Sequence, residues 1–271
     1  MAIITKITTQ QKNQDRFNIF MDYGKGEEFA FSVDSEVLIK FQLKKGMELD
    51  EFSLMEVHYH DDIRKAYNLA INYLAKRMRS EKEIKEYLTQ KEVEEPAIQE
   101  VIHKLVTQKY INDLEYALAY VRTQANTTDK GLGLVRIELK EKGISNEEIN
   151  IALNEYPMEQ QIEKATKLAE KFYEKNSRDS KRILKQKLDN MLLRKGYSYE
   201  VINIAVNEAQ LTKNTDEEMD AIRYQGEKMQ RKYSKFEGFE YVKKMKQALY
   251  QKGFPFELIE RYLAELNNHD E

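Results

Sequence analysis

The chain has 271 residues, 41% of them hydrophobic and 34% charged, with 10 glycines, 3 prolines, no cysteine and a formal net charge of −3. Without cysteine there is no disulfide scaffold, thiol nucleophile or cysteine-based zinc site, and so little Gly and Pro turns away from collagen-like, linker-rich and most all-β designs toward long helices. The near-neutral balance gives no global pull toward DNA or membrane, and the high charged fraction fits an elongated molecule better than one compact ball.

Residues 1–50 read as a small β-rich module. Ile3, Ile4 and Ile7 lie in a Thr-rich stretch; Phe17, Ile19 and Met21 alternate with their neighbours, as do Phe29, Phe31 and Val33. Alternation at two places each set on one face of a strand, and Tyr23-Gly24-Lys25-Gly26 between the last two runs reads as a hairpin loop. Ser35 to Leu43 is expected to form a short helix closed by Lys45-Gly46. So few strands are marginal alone, and the module is expected to lean on the residues C-terminal to it.

From Glu51 onward the pattern is helical. Ala66, Leu69, Ala70, Tyr73 and Leu74 form one stripe. Ser80–Glu83, Asn112–Glu115, Ser145–Glu148 and Thr215–Glu218 each place a capping side chain three residues before Glu. Helices are predicted over Ile63–Met78, Asp113–Asn126, Glu159–Glu174 and Glu217–Tyr233, with His58-Tyr59-His60-Asp61-Asp62 as a polar lead into the first.

A repeat then becomes visible. Leu139 to Ile144, Leu192 to Tyr197 and Leu249 to Phe254 each read L-x-x-K-G and then an apolar residue, at offsets of 53 and 57 residues. Ile149 and Leu153, Ile202 and Val206, and Ile259 and Leu263 come after them in turn. A fourth copy, 51 residues earlier, runs from Leu88 through Lys91 to Val93, Ile98 and Ile102, with Glu92 in place of the glycine. In each unit a helix ends at Lys, glycine takes the left-handed position cheaply, and the next apolar residue packs back. A third helix comes next, with Pro255 in its first turn in the last copy and Pro96 near the same place in the first. Glu92 either strains its turn or marks another geometry. The expected organisation is a β-rich module over 1–50 and three-helix repeats over 51–110, 111–155, 156–211 and 212–271, stacking on one another.

The segments Ala66-x3-Ala70-x2-Tyr73-Leu74-x2-Arg77-x-Arg79-Ser80-x2-Glu83, Tyr110-Ile111-Asn112-Asp113-x2-Tyr116-Ala117-x2-Tyr120-Val121, Lys130-Gly131 and Leu139-x2-Lys142-Gly143-Ile144 occur in this order over roughly residues 62–155. Their order and spacing resemble the RecX family, bacterial regulators of the RecA recombinase. The two later units and the β segment look like the longer form found in Gram-positive bacteria. The resemblance implies mostly α architecture, with tandem three-helix repeats forming an elongated curved rod behind a small β-rich N-terminal module. It implies a non-catalytic protein that lies on the RecA–DNA filament and modulates its growth, ATPase and strand exchange, most often as an inhibitor, in DNA repair, recombination and the SOS response; a monomer is expected.

Charge alternates along the chain: net −4 over 1–61, +2 over 62–110, −3 over 111–155, +3 over 156–211 and −1 over 212–271. The densest basic run extends from Lys175 to Lys195. Within it Arg178, Arg182 and Lys185, spaced at four and three, are expected on one helix face with Lys181 beside them, away from the core face of Leu184, Leu188 and Met191. Such a patch suits DNA phosphates or an acidic filament surface; the plainer reading is a solvated helix face. Arg77 and Arg79, with Lys82 and Lys85, form a second candidate, but Glu81, Glu83 and Glu86 among them suggest internal pairs. Tyr73, Tyr87, Tyr116 and Tyr120 read chiefly as core or inter-repeat packing, with partner contact as the lesser alternative.

The longest apolar run, Tyr116 to Val121, is far below the ~18 residues of a membrane span. No signal peptide is apparent at the N-terminus, so a cytoplasmic protein is expected. Four histidines support neither a metal site nor a nucleophile–His–acid arrangement, and Gly24-Lys25-Gly26 lacks phosphate-loop spacing. No cofactor is expected. The alternative reading, from a different class, is a helical-repeat protein binding single- or double-stranded DNA directly.

Overall fold

A computed structural model of the chain describes residues 2–209 and 213–267. These residues divide into two compact units. The first comprises the chain up to Tyr116 together with Lys142–Glu148; the second comprises Ala117–Glu141 and the described residues from Ile149 onward.

The first unit opens with an antiparallel sheet in the order β3-β2-β1-β4, formed by β1 (Ala2–Thr9), β2 (Arg16–Asp22), β3 (Glu27–Asp34) and β4 (Glu48–Leu49), with α1 (Ser35–Lys40) after β3. Ile4, Ile19, Met21, Phe31 and Val33 bury their side chains on one face. The alternation fails at Phe29, expected beside Phe31 and Val33 but 57% exposed. Ile19 pairs with Phe31 while Phe20 pairs with Phe29, so Ala30 is an extra residue in β3. That bulge turns Phe29 to the other face, where it meets the Phe20 ring edge-on at 5.9 Å.

Helix α2 runs over Glu51–Leu74 from an Asp50 N-cap whose carboxylate accepts the Ser53 N–H at 2.8 Å. It begins well before the expected Ile63, so His58 to Asp62 is mid-helix and not a polar lead. Val57 packs into the sheet core. Asp61, 2% exposed, accepts hydrogen bonds from Arg16 and from the Asp34 N–H, both at 2.8 Å. Burial alone would raise its carboxyl pKa, but these donors and Lys65 hold it below the ordinary value. Further along, Ala66 and Ala70 bury against α3 (Glu81–Gln90) and α4 (Glu95–Thr107) with Ile84, Leu88, Ile98 and Val101.

The remaining helices are α5 (Asp113–Thr127), α6 (Leu132–Glu141), α7 (Asn146–Ala152, running into a 3₁₀ turn), α8 (Met158–Lys175), α9 (Lys181–Arg194), α10 (Tyr199–Glu208), α11 (Thr215–Tyr233), α12 (Gly238–Gln251) and α13 (Phe256–Asn267). With α2–α4 they make four helix triplets. The repeat anchors are the core: Leu88, Leu139, Leu192 and Leu249 are all 0% exposed, and Ile98, Ile149, Ile202 and Ile259 are at most 2% exposed. Each such side chain stabilises the fold by roughly 1.5–3 kcal/mol.

Gly143, Gly196 and Gly253 adopt φ of 85°, 89° and 88° as the pattern predicts, and Glu92 adopts the same turn at φ 60°. Val93 and Phe254 donate back to Leu88 and Leu249, as Tyr197 does to Leu192, so Glu92 sits strained in an unchanged geometry. The glycines have a second role. The Lys142 carbonyl accepts from the Ser80 hydroxyl at 2.8 Å and the Lys252 carbonyl from the Ser180 hydroxyl at 2.6 Å. The Lys195 carbonyl accepts from the Gly131 N–H at 2.7 Å. Each L-x-x-K-G turn thus docks on the start of the middle helix of the preceding triplet, where a Cβ on the glycine would meet Lys82 at 2.7 Å, the Leu134 nitrogen at 2.4 Å or the Ser180 hydroxyl at 2.5 Å. The first turn has no preceding triplet, and Glu92 is exposed.

Two local expectations shift. The last capping box is Asn214–Glu217, one residue before Thr215–Glu218, which frees Glu218 to turn inward. Pro255 stands just before α13 and offers its carbonyl to the Ile259 N–H, outside the first turn.

Candidate partner-binding surface

Helix α9 starts at Ser180, whose hydroxyl accepts the Ile183 N–H. Leu184 and Leu188 are buried and Met191 is partly so, leaving Lys181, Arg182 and Lys185 exposed on the other side. No acidic side chain lies in the first turn. Cations at a helix N-terminus oppose the macrodipole, so their placement gives α9 no stability. Glu218 supplies the missing anion from beneath: 6% exposed, it accepts the Lys181 N–H through both oxygens at 3.0 Å.

The Ser180–Lys252 bond brings this basic helix start against the Tyr250–Pro255 turn. Arg182 donates to the Tyr250 carbonyl at 3.1 Å, with its guanidinium 5.7 Å from the Tyr250 ring. Together with Lys213, Phe254, Leu258 and Arg261 these residues line an open groove of about 770 Å³. Lys213 is 7% exposed and donates to the Ser177 carbonyl and, at 2.6 Å, to the Asp179 carbonyl, pinning the α8–α9 turn. Burial pushes its ammonium pKa down, against the nearby Glu218. Lys181, Arg182 and Lys185 form no salt bridge among the described residues.

Arg178 does not share this helix face. The four–three spacing counts through Ser180, where the helix only begins, and Arg178 lies in the preceding turn. It donates instead to the Tyr224 hydroxyl at 3.1 Å, 4.4 Å from the ring centre, while Lys228 approaches the same ring at 4.1 Å. Lys228 and Arg178 hold that phenol below its ordinary pKa. A basic aromatic cluster on α11 was therefore hidden in the sequence; a tyrosine four residues before a lysine was its one local signal.

Arg77 and Arg79 lie in the first unit and face inward charge. Arg77 pairs with Glu83 at 2.7 Å; Arg79 lies 3.9 Å from Glu83 and 4.0 Å over the Tyr73 ring. Lys85 pairs with Glu81 at 2.7 Å and Lys82 with Glu86 at 3.7 Å. Burial would raise the Glu83 pKa; Arg77, the Ser80 N–H and Lys142 outweigh it and hold the carboxyl low. Tyr73 stacks on Tyr87 at 4.0 Å, Tyr116 is 6% exposed, and Tyr120 donates to Glu138 at 2.8 Å. His58 packs on Phe31 at 4.7 Å and His60 lies 3.0 Å from the Lys40 ammonium. Among the described residues no three His, Cys, Asp or Glu side chains are grouped to hold a metal, and no helix is long and apolar enough to cross a membrane.

Comparisons with known proteins place these features in a family. Residues 2–50 match the regulatory protein RecX N-terminal domain, 66–105 the first three-helix domain of RecX and 112–153 the second. The third three-helix domain matches twice, at 159–206 and 216–263. The regulatory proteins RecX of Bacillus cytotoxicus and Bacillus cereus are each 46% identical over 263 residues, 97% of both chains. A crystal structure of regulatory protein RecX superposes with a TM-score of 0.70 at 36% identity, covering 76% of this chain and 100% of that one. The crystal structure of RecX from Lactobacillus salivarius gives 0.54 at 40% identity, covering 56% and 99%.

Proposed function

This chain belongs to the RecX family of regulatory proteins, and on that premise we propose that it regulates the RecA recombinase by binding the RecA–DNA filament. It limits filament growth, ATP hydrolysis and strand exchange, and so acts in DNA repair and the SOS response. It works by contact and not by catalysis, with its tandem triplets as successive contact modules. The observation that carries the reading is the α9 helix start. Lys181 and Arg182 are exposed against the helix dipole, with Lys185 one turn on, beside a groove of about 770 Å³, an arrangement that costs stability and suits an anionic partner surface.

The test is RecA ATPase on single-stranded DNA with the protein titrated in. Inhibition well below one molecule per RecA subunit supports filament binding with multivalent reach. An unchanged ATPase at excess protein refutes it. Direct DNA binding is the second reading, favoured by the cluster in which Arg178 and Lys228 flank the Tyr224 ring at 4.4 and 4.1 Å, because cations beside an aromatic face suit phosphates and stacked bases. Salt-dependent binding to labelled DNA without RecA distinguishes it.

A further inference from the structure

The first half of α2 is apolar on two opposite sides. Leu54 and Val57 turn toward the sheet, where Val57 is 0% exposed. On the other side lie Phe52, Met55 and Tyr59, which are 70%, 66% and 37% exposed. Single exposed apolar side chains are ordinary. A row of three at helical spacing, opposite a face already buried, is not what a solvated helix carries.

The row does not stop at Tyr59. Positions 52, 55, 59, 63, 66, 70 and 73 succeed one another at steps of three and four, occupied by Phe52, Met55, Tyr59, Ile63, Ala66, Ala70 and Tyr73. This is one continuous seam along α2. Over its second half the seam is covered: Ala66 and Ala70 are 1% and 0% exposed beneath α3 and α4. Over its first half the seam is open at Phe52 and Met55, with Tyr59 half-covered where the two stretches meet. The cover of a helix seam in this fold is another helix, and the open stretch continues that packed interface directly. From Phe52 to Tyr59 it spans about two turns, roughly 10 Å, enough for the i, i+3/i+4, i+7 anchors of one amphipathic helix.

The rim gives the occupant its charge. Glu51 and Glu56 stand on either side of the row, exposed and without a salt bridge among the described residues. Asp62 comes next on the Glu51 side and is paired with Lys65 at 2.9 Å. We propose that the Phe52–Met55–Tyr59 face of α2 docks an amphipathic helix of a partner protein, its apolar side on this row and its Lys or Arg side chains against Glu51 and Glu56. The proposal does not depend on the recombinase reading.

The experiment uses the full chain and two synthetic helical peptides of about 18 residues with the same leucine row, one flanked by Lys and one by Glu. Fluorescence anisotropy is expected to give roughly tenfold tighter binding of the Lys peptide, weakening with salt. Phe52→Ser with Met55→Ser should weaken it roughly tenfold with an unchanged circular dichroism spectrum. Glu51→Lys with Glu56→Lys, wholly on the surface, should reverse the peptide preference and keeps the test decisive if the serine variant melts early. Equal binding of both peptides, or an unchanged preference in the Glu51/Glu56 variant, overturns the proposal. So does concentration-dependent self-association in sedimentation that these substitutions abolish, which would assign the face to a second copy of the chain.

Discussion

The Ser180 hydroxyl donates to the Lys252 carbonyl at 2.6 Å while accepting the Ile183 N–H at 3.4 Å. One side chain thus caps α9 and holds the next triplet's turn. Ser80 does the same, donating to Lys142 at 2.8 Å and accepting from Glu83 at 3.3 Å. Both serines are at most 1% exposed. The recurrence of this joint explains why the L-x-x-K-G motif ends in glycine: its carbonyl neighbour must approach a helix start closely, and a Cβ is in the way.

Ser80→Ala and Ser180→Ala should each destabilise the protein by about 1–2 kcal/mol, since each removes a cap and takes the donor from a part-buried carbonyl. Urea denaturation monitored by circular dichroism measures it. A loss no larger than about 0.5 kcal/mol, the scale of an ordinary surface change, would show that the joint bond carries no weight.

Glycine and glutamate at the same turn should respond in opposite directions. Gly196→Ala is expected to cost about 3 kcal/mol or more, adding left-handed strain to a Cβ that meets the Leu134 nitrogen at 2.4 Å. Gly143→Ala should cost less, because its Cβ comes no nearer than 2.7 Å to the Lys82 Cβ, a wider approach than 2.4 Å to a backbone nitrogen. Glu92→Gly relieves strain at φ 60° and should stabilise by about 0.5–1 kcal/mol after the added unfolded-state freedom is subtracted. Chemical melts of the three variants would refute the joint if Gly196→Ala were as mild as Gly143→Ala.

Stability of the first unit should fall in acid partly through Glu83. Its folded carboxyl titrates below the unfolded value of 4.5, so its stabilisation is complete above that pH and is lost as pH falls through the folded value. Asp113, pushed up by burial, opposes this in part. Glu83→Gln should lower stability at pH 7 and flatten the decline below pH 4.5, read from melting temperature against pH. An unchanged slope would remove Glu83 as its source.

Reversing Lys181, Arg182 and Lys185 to Glu should leave the fold intact by circular dichroism, because the three side chains are exposed and lie off the buried Leu184 and Leu188 face. Affinity for the RecA–DNA filament should drop. If the three meet phosphates, the slope of log K against log salt should fall by about 0.7–0.9 for each phosphate no longer neutralised. Arg178→Glu, acting from its place on Tyr224, should add independently. Anisotropy with labelled DNA, with and without RecA, across a salt series measures all of this; wild-type affinity in the triple variant would make these residues a solvated face.

Local patterning alone dictates the helix triplets and their core. Leu88, Leu139, Leu192 and Leu249 are buried, as are Ile144, Tyr197 and Phe254 after their turns, while Val93 is partly so, because helical periodicity and a left-handed turn are local properties, written within one repeat. Ser80–Glu83 was equally legible as a capping box, which needs only four adjacent residues. Other features depended on neighbours distant in the chain. Phe29 changed face because the register with β2 inserts Ala30 as a bulge. Arg178 left its helix face because Ser180, tied to Lys252, fixes where α9 begins. Glu218 turned inward because an amide of α9 needed an anion. Glu92 is tolerated, where three other copies require glycine, because no earlier triplet presses on it. Spacing along the chain sets which side chains share a face; only the packed structure decides whether another backbone stands within a Cβ's reach of them.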